Sequence, residues 1–341
     1  MGEFSQGLPA VRADSGREEA DCLLTVVVPT RNRGDLAART VASILEGSER
    51  RIRLIVVDQS DAPDTKRALE PFQADARFRY VSSSSAGISA ARNEGVALAR
   101  TALIAHTDDD CEARPDWCRQ VIDAFERFPQ AELLFGTVEP GEHSMPDRGF
   151  IPSYLVHQER LIVGLRRKTE TEGIGACMAY RRRLWDELAG FDESLGVGTP
   201  LGSAEDVDFA VRTLAAGHGV LETPQPRVVH YGFRTWEQAN PLLRRYLYGI
   251  GAACAKQLRV QGVPFLAVLA RLGLRWAFAQ PVADFEHRPS RRLRLFAFAR
   301  GFTAGFRMKI RGDFFTLTSA PPRPSPGPAP TSPLETDCTP K

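Results

Sequence analysis

The chain has 341 residues, 43% hydrophobic and 25% charged, an ordinary soluble globular composition with material for one large core or two modest domains. Its six cysteines (Cys22, Cys111, Cys118, Cys177, Cys254, Cys338) include no C-x-x-C pair, and their scatter argues against a disulfide framework and for a reducing cytoplasm. The net charge of +2 conceals an asymmetry: residues 241–320 carry fourteen Lys or Arg against Asp284, Glu286 and Asp313, a net of +11, while the first 240 residues sum to −9.

The first twenty residues mix acids with small polar residues and lack the profile of a secretory signal. A disordered tail over 1–20 is expected. Residues 23–28 then form a continuous Val-rich apolar run, as a strand buried on both faces of a parallel sheet requires, and Pro29 stops it. Residues 35–46 fit a helix, with Asp35 as its N-cap and Leu36, Val41, Ile44 and Leu45 on one face. The pattern repeats as strand 54–57, a short helix, strand 78–81, helix 88–99, strand 102–106, helix 115–128 and strand 133–137. Such alternation predicts an α/β layer fold. From residue 239 to 315 the pattern turns helical, with one stripe of Leu242, Leu243, Tyr246, Leu247 and Ile250 and another of Leu295, Phe298, Phe302 and Phe306, arginines filling the gaps. The longest uncharged apolar run, 260–270, is well short of the roughly 20 residues that a spanning helix needs. After Ser319 a proline-rich tail is predicted to be disordered.

In layered α/β sheets ligands bind beyond the carboxyl ends of the strands. The residues there are Thr30-Arg31-Asn32-Arg33, then Asp58-Gln59-Ser60-Asp61, then Asp108-Asp109-Asp110. Neither G-x-G-x-x-G nor G-x-x-x-x-G-K-[ST] follows a strand, which argues against dinucleotide enzymes and P-loop NTPases. Three successive carboxylates at a strand end repel one another, and a divalent cation relieves that cost; oxygen ligands suit Mg²⁺ or Mn²⁺. The competing reading is a solvated acidic turn. Downstream, Glu205-Asp206-Val207-Asp208 opens a helix, where acids also serve merely to complement the dipole and where Asp208 can pair with Arg212. His230, after Val228 and Val229, is placed to ligate a metal as a neutral imidazole, while His106 reads as a packing residue. By itself Arg92 reads as a surface cation.

The order and spacing of these pieces resemble the family 2 glycosyltransferases over residues 23–231. The carrying motifs are Val26-Val27-Val28-Pro29-Thr30-Arg31-Asn32-Arg33, Val57-Asp58-Gln59-Ser60, the run from Gly87 through Arg92 and Asn93 to Gly95, Asp108-Asp109-Asp110, Gly190-Phe191-Asp192-Glu193, Glu205-Asp206-Val207-Asp208, and His230. The resemblance implies a GT-A type α/β fold, a nucleotide-sugar-binding sheet flanked by helices, over 21–240; the basic helical pattern and the proline-rich run then divide the rest into an extension over 241–318 and a tail over 319–341. It implies inverting transfer of a sugar from a nucleotide diphosphate donor to an acceptor hydroxyl, saccharide or lipid-linked, with Mn²⁺ or Mg²⁺. Thr30, Asn32 and Asp58 would line the nucleotide pocket, and Arg92, Asp108 and Asp109 would lie at the donor. Asp110 and His230 would hold the metal with Asp108 in or beside its shell, and Asp206 would be the catalytic base, with Glu205 as its understudy. Where relatives often read Gly-Gly-Asn-Met, this chain has Gly175-Ala176-Cys177-Met178. A sugar nucleotidyltransferase, or a silent carbohydrate-binding or scaffold protein, is the alternative reading; no nucleic-acid partner is expected. The protein is expected in the cytoplasm. Its basic segment is expected either to dock peripherally on an anionic membrane or to pack on the catalytic domain or form an oligomer.

Overall fold

Every residue of strand β1 (Leu24–Thr30) is buried, as its unbroken apolar run requires of a central strand. The computed structural model describes residues 21–142, 148–278 and 290–316; the tails expected at 1–20 and 319–341 lie outside these. In chain order the elements after β1 are α1 (Gly34–Leu45), β2 (Ile52–Asp58), α2 (Asp64–Leu69), β3 (Phe78–Ser82), α3 (Ile88–Leu98), β4 (Leu103–His106), β5 (Cys111–Ala113), α4 (Trp117–Arg127), β6 (Ala131–Pro140), β7 (Gly149–Phe150), β8 (Arg160–Val163), β9 (Met178–Arg181), α5 (Arg182–Glu187), α6 (Glu205–Ala215), β10 (Gly219–His230), β11 (Arg234–Thr235), α7 (Trp236–Gln261), α8 (Val263–Phe278), α9 (Arg291–Arg307), β12 (Ile310–Arg311) and β13 (Phe314–Phe315).

The main sheet runs β3-β2-β1-β4-β9-β6-β10-β5, with β8 also paired to β10. Its first half is parallel. Its second half is mixed, because β9 runs antiparallel to both β4 and β6, and β10 lies parallel to β6 but antiparallel to β5 and β8. Of this half the alternation in the sequence predicted β6, as the strand at 133–137, but β5, β8 and β9 are three or four residues long, too short for a periodicity to register. One face of the sheet packs on the α1 and α4 side, where Val41, Ile44, Trp117, Val121 and Phe125 share a core with Val26 and Val28. The other face packs Ala91 and Val96 of α3 and Phe209 and Leu214 of α6 against Val27 and Ile104. A further correction concerns α1, which begins at Gly34 with Arg33 in the cap position and no side-chain cap; Asp35 lies in its first turn, complementing the dipole.

The helical extension begins at Trp236, before the expected 241, because Thr235 and Gln238 form a capping box. Helices α7 and α9 meet at backbone distance: a Cβ on Gly301 would lie 1.9 Å from the Tyr248 carbonyl oxygen, so only glycine permits the approach. Of the two expected stripes, Leu247 is buried, and Phe298 and Phe302 pack on the cluster around Val211 and Phe265. Leu295 and Phe306 face outward instead.

A buried ionic network fastens α7 to the sheet domain. Lys256 Nζ lies 2.6 Å from Asp192 and 2.9 Å from Asp208. Asp208 also accepts from Arg212 Nε at 3.0 Å and Gln257 at 2.7 Å, and Arg212 donates to the Leu188 and Gly190 carbonyls, each at 2.8 Å. Two acids thus face two cations with their hydrogen bonds largely met. Burial opposes the charge on Asp208, but Lys256 and then Arg212 hold its carboxyl below the usual range. Removing one partner from such a network leaves an uncompensated buried charge.

Candidate active site

The parallel pairing of β1 with β2 places Thr30 opposite Asp58, so the loops that leave these two strands meet. Asn32 takes φ +55°, a conformation asparagine tolerates better than most residues. Its backbone N–H donates to Ser60 Oγ at 2.7 Å and its side-chain oxygen accepts from the Asp61 N–H at 3.2 Å. Asp58 is buried and accepts from the Ser60 N–H at 2.9 Å and the Tyr80 hydroxyl at 2.8 Å. Burial and then Asp58 push the Tyr80 phenol up to about 12.

Beyond β4 the chain turns through Asp108, Asp109 and Asp110 into β5. The Thr40 hydroxyl lies 2.9 Å and 2.7 Å from the carbonyl oxygens of Asp109 and Cys111 and fixes that turn. Thr30 donates to Asp109 at 2.8 Å. Arg33 Nη1 lies 2.9 Å from Asp109 and 3.1 Å from Asp110. Arg92 is 1% exposed, which overturns its reading as a surface cation; it spans Glu205 at 3.0 Å and Asp108 at 3.2 Å.

From the opposite edge β10 delivers His230. The Pro152 carbonyl can only accept, so His230 Nδ1 donates to it at 2.8 Å and the ring turns Nε2 toward Asp110 Oδ1, 3.2 Å away. Potential ligand atoms of Asp110, Cys111 and His230 all lie within 4.8 Å of one another. Gly232 keeps the space before them open: a Cβ there would lie 2.6 Å from His230 Nε2 and 2.8 Å from Asp110 Oδ2.

Helix α6 brings the remaining acids. Ala204, at φ +76°, turns the chain into Glu205 through a left-handed conformation that costs an alanine roughly 1–2 kcal/mol. Asp206, partly exposed, accepts the Gly175 N–H at 2.9 Å. Glu205 is buried; burial and the neighbouring Asp206 push its carboxyl up to about 7 against the pull of Arg92. Burial likewise raises Asp108, and it raises Asp109 to about 6 against Arg33. Burial also opposes the charge on Asp110, yet His230 and then Arg33 hold that carboxyl down at about 2. Burial works against a charged His230, and Asp110 overrides it, raising the imidazole above its usual value.

The sheet edge therefore gathers Thr30, Asp108, Asp109, Asp110, Arg92, Glu205, Asp206 and His230, with Asn32 and Asp58 on the adjoining loops. Asp208 lies apart in the ionic network. His106 is buried, 2.7 Å from the Tyr180 hydroxyl, as a packing residue should be. Cys177 faces the core, 3.3 Å from Trp117 Nε1. Arg33, Gly175 and Gly232 have no role assigned from the sequence. Arg33 lay within the first motif, where a cation beside an acidic cluster was a usable signal, and Gly175 within the Gly175-Ala176-Cys177-Met178 segment; Gly232 carries none.

Residues 25–189 match the model of the Glycosyl transferase family 2. The chain is 26% identical over 221 residues to the glucosyl-dolichyl phosphate glucuronosyltransferase of Haloferax volcanii, covering 62% of this chain and 71% of that one. It is 28% identical over 249 residues to the pre-mycofactocin glycosyltransferase of Mycobacterium tuberculosis, covering 71% of this chain but only 49% of that protein. Among solved structures, a mannosyltransferase from Pyrobaculum calidifontis, in complex with GDP-Man and Mn²⁺, superposes with a TM-score of 0.55 at 19% identity, over 83% of this chain and 75% of that one. S. aureus TarS 1–349 does so with a TM-score of 0.53 at 14% identity, over 83% and 89%. The fold is of the GT-A type. The family match ends before Glu205, so the reading of Glu205, Asp206 and His230 rests on their geometry.

Proposed function

Given that the chain is a family 2 glycosyltransferase, we propose that its acid-rich sheet edge transfers a sugar, with inversion, from a nucleotide diphosphate donor to an acceptor hydroxyl that is saccharide or lipid-linked. The observation that carries this reading is the convergence of Asp108, Asp109, Asp110, Glu205 and Asp206 from distant parts of the chain, with Arg33, Arg92 and the His230 ring in ion-pair contact and Arg234 and Lys168 acting on Asp110 and Asp206 from farther off. A site so charged is suited to a divalent cation and its phosphate ligands.

Asp110 and His230 are the residues to hold Mn²⁺ or Mg²⁺, with Asp108 beside them. Their carboxylate and imidazole donors fit such an ion, and Gly232 leaves the space open. When bound, the cation supplies Lewis acidity that neutralises charge on the departing diphosphate. Asp58, Asn32 and Thr30 form the nucleotide side of the site. Arg92, fixed between Asp108 and Glu205, brings a buried positive charge to the donor side.

Asp206 takes the proton of the acceptor hydroxyl as the new glycosidic bond forms and the bond from sugar to diphosphate breaks. It has solvent-facing surface, whereas Glu205 is buried against Arg92. The direct experiment measures donor hydrolysis and transfer with and without cation. EDTA abolishes both and Mn²⁺ or Mg²⁺ restores them; undiminished turnover in verified metal-free buffer overturns the metal assignment. Asp206→Asn lowers transfer by roughly 100-fold or more with donor affinity retained. Near-normal transfer in that variant, with a comparable loss in Glu205→Gln, moves the role to Glu205.

A further inference from the structure

Behind the loop that leads into α6, a cavity of about 820 Å³ opens between residues 198–202, α7 and α9. Arg244 and Arg245 of α7 and Arg300 of α9 line it, together with Tyr248, Leu293 and Phe296. The three arginines are exposed, and among the described residues none has a carboxylate within ion-pair distance. They differ in this from Arg33, Arg92 and Arg212, each of which is matched to an acid. Phe296, at 64% exposure, lies at the same cavity, and its ring is 5.8 Å from the Arg300 guanidinium carbon.

Guanidinium groups converging on one concave space repel one another, and an anion offering several oxygens removes that repulsion through bidentate hydrogen bonds. An anion alone leaves Leu293 and Phe296 without a partner, and a hydrocarbon alone leaves the arginines uncompensated. We propose that this cavity binds a phosphate that carries a hydrocarbon chain, the phosphate on Arg244, Arg245 and Arg300 and the chain along Leu293 and Phe296. The wall of the cavity also connects to the catalytic acids. Ser203 donates to the Tyr246 carbonyl of α7 at 3.0 Å, and a Cβ on Gly196 would lie 3.2 Å from Glu205 Oε2. A lipid phosphate held against residues 198–202 is thus one loop away from Asp206. Its assignment as the acceptor's anchor rests on the transferase reading above, whereas its binding does not.

The test titrates octyl phosphate, below its micellar concentration, into the full chain without donor, by calorimetry, beside inorganic phosphate and the neutral octyl glucoside. Octyl phosphate binds at least tenfold more tightly than either, and Arg244→Ser/Arg300→Ser weakens it at least tenfold. Phe296→Ser weakens octyl phosphate and leaves inorganic phosphate unchanged. EDTA does not alter this binding, although it removes donor binding, so failure of the cavity and failure of the donor site are distinguishable. Circular dichroism checks that the variants, all at exposed positions, keep their helices. Equal affinity for inorganic phosphate, equal affinity for octyl glucoside, or an unchanged constant in the arginine variant overturns the proposal.

Discussion

Two groups of acids lie within one turn of each other on α6 and differ in what surrounds them. Asp208, with Asp192, meets Lys256 and Arg212, and its oxygens also accept from Gln257. Glu205 and Asp206 face the other way, toward Asp108, Asp109 and Asp110, a cluster of five carboxylates in which only two arginines among the described residues, Arg33 and Arg92, are in ion-pair contact. The first group is electrically complete and fastens a helix to the sheet domain; the second gains most from a cation supplied from outside. Residue type does not separate them, and burial does not separate Glu205 from Asp208, which is nearly as enclosed. Charge balance does.

The comparison breaks first on stability. Asp208→Asn or Lys256→Met should cost about 3–5 kcal/mol in urea unfolding, the usual penalty for stranding one partner of a buried pair. Asp206→Asn should stay within about 1 kcal/mol, because a partly exposed acid in a crowded cluster has little folding energy to lose. Equal losses at both positions erase the distinction.

A smaller effect is expected at Gly232. Gly232→Ala places a methyl group against His230 Nε2 and Asp110 Oδ2 and should weaken Mn²⁺ binding at least tenfold, about 1.4 kcal/mol, with the fold intact by circular dichroism. Unaltered affinity there removes Asp110 and His230 from the metal site.

The smallest effect is on pH dependence without metal. Asp109 at about 6 and Glu205 at about 7 lie above their unfolded values, and His230 is raised as well, so from pH 7 downward the native state binds more protons than the unfolded one. Stability should therefore rise on mild acidification, lifting Tm by about 2–4 °C for each kcal/mol gained. Below about pH 4, near the unfolded carboxylate pKa, the sign reverses. The lowered carboxyls of Asp208 and Asp110 contribute stability above that value and lose it as pH falls through their native ones. A thermal scan across pH that falls steadily from pH 7 contradicts the raised acids; Mn²⁺ with a nucleoside diphosphate should flatten the rise.

Much of this was legible in the sequence where the signal was local. The strand-end acids, the buried first strand and the alternation on one side of the sheet follow from runs and periods of neighbouring residues. The antiparallel pairings of the other half were not legible, because β5, β8 and β9 are too short to show a period. Nor was the difference between Asp206 and Asp208: Arg212, at i+4, was visible as a partner, but Lys256 lies 48 residues beyond Asp208 and its pairing requires α7 to fold back. Arg92 posed the same problem in reverse, a cation that looks solvated on its own helix until Asp108 and Glu205 close around it.

If a divalent cation completes the acid-rich cluster, electron paramagnetic resonance with a panel of nucleoside diphosphates should count one bound Mn²⁺ per chain with the preferred nucleotide. Its affinity should fall at least tenfold in Asp110→Asn or His230→Ala and stay unchanged in Arg244→Ser. No bound Mn²⁺ with any nucleotide, or undiminished binding in the Asp110→Asn and His230→Ala variants, would contradict completion of the cluster by a cation.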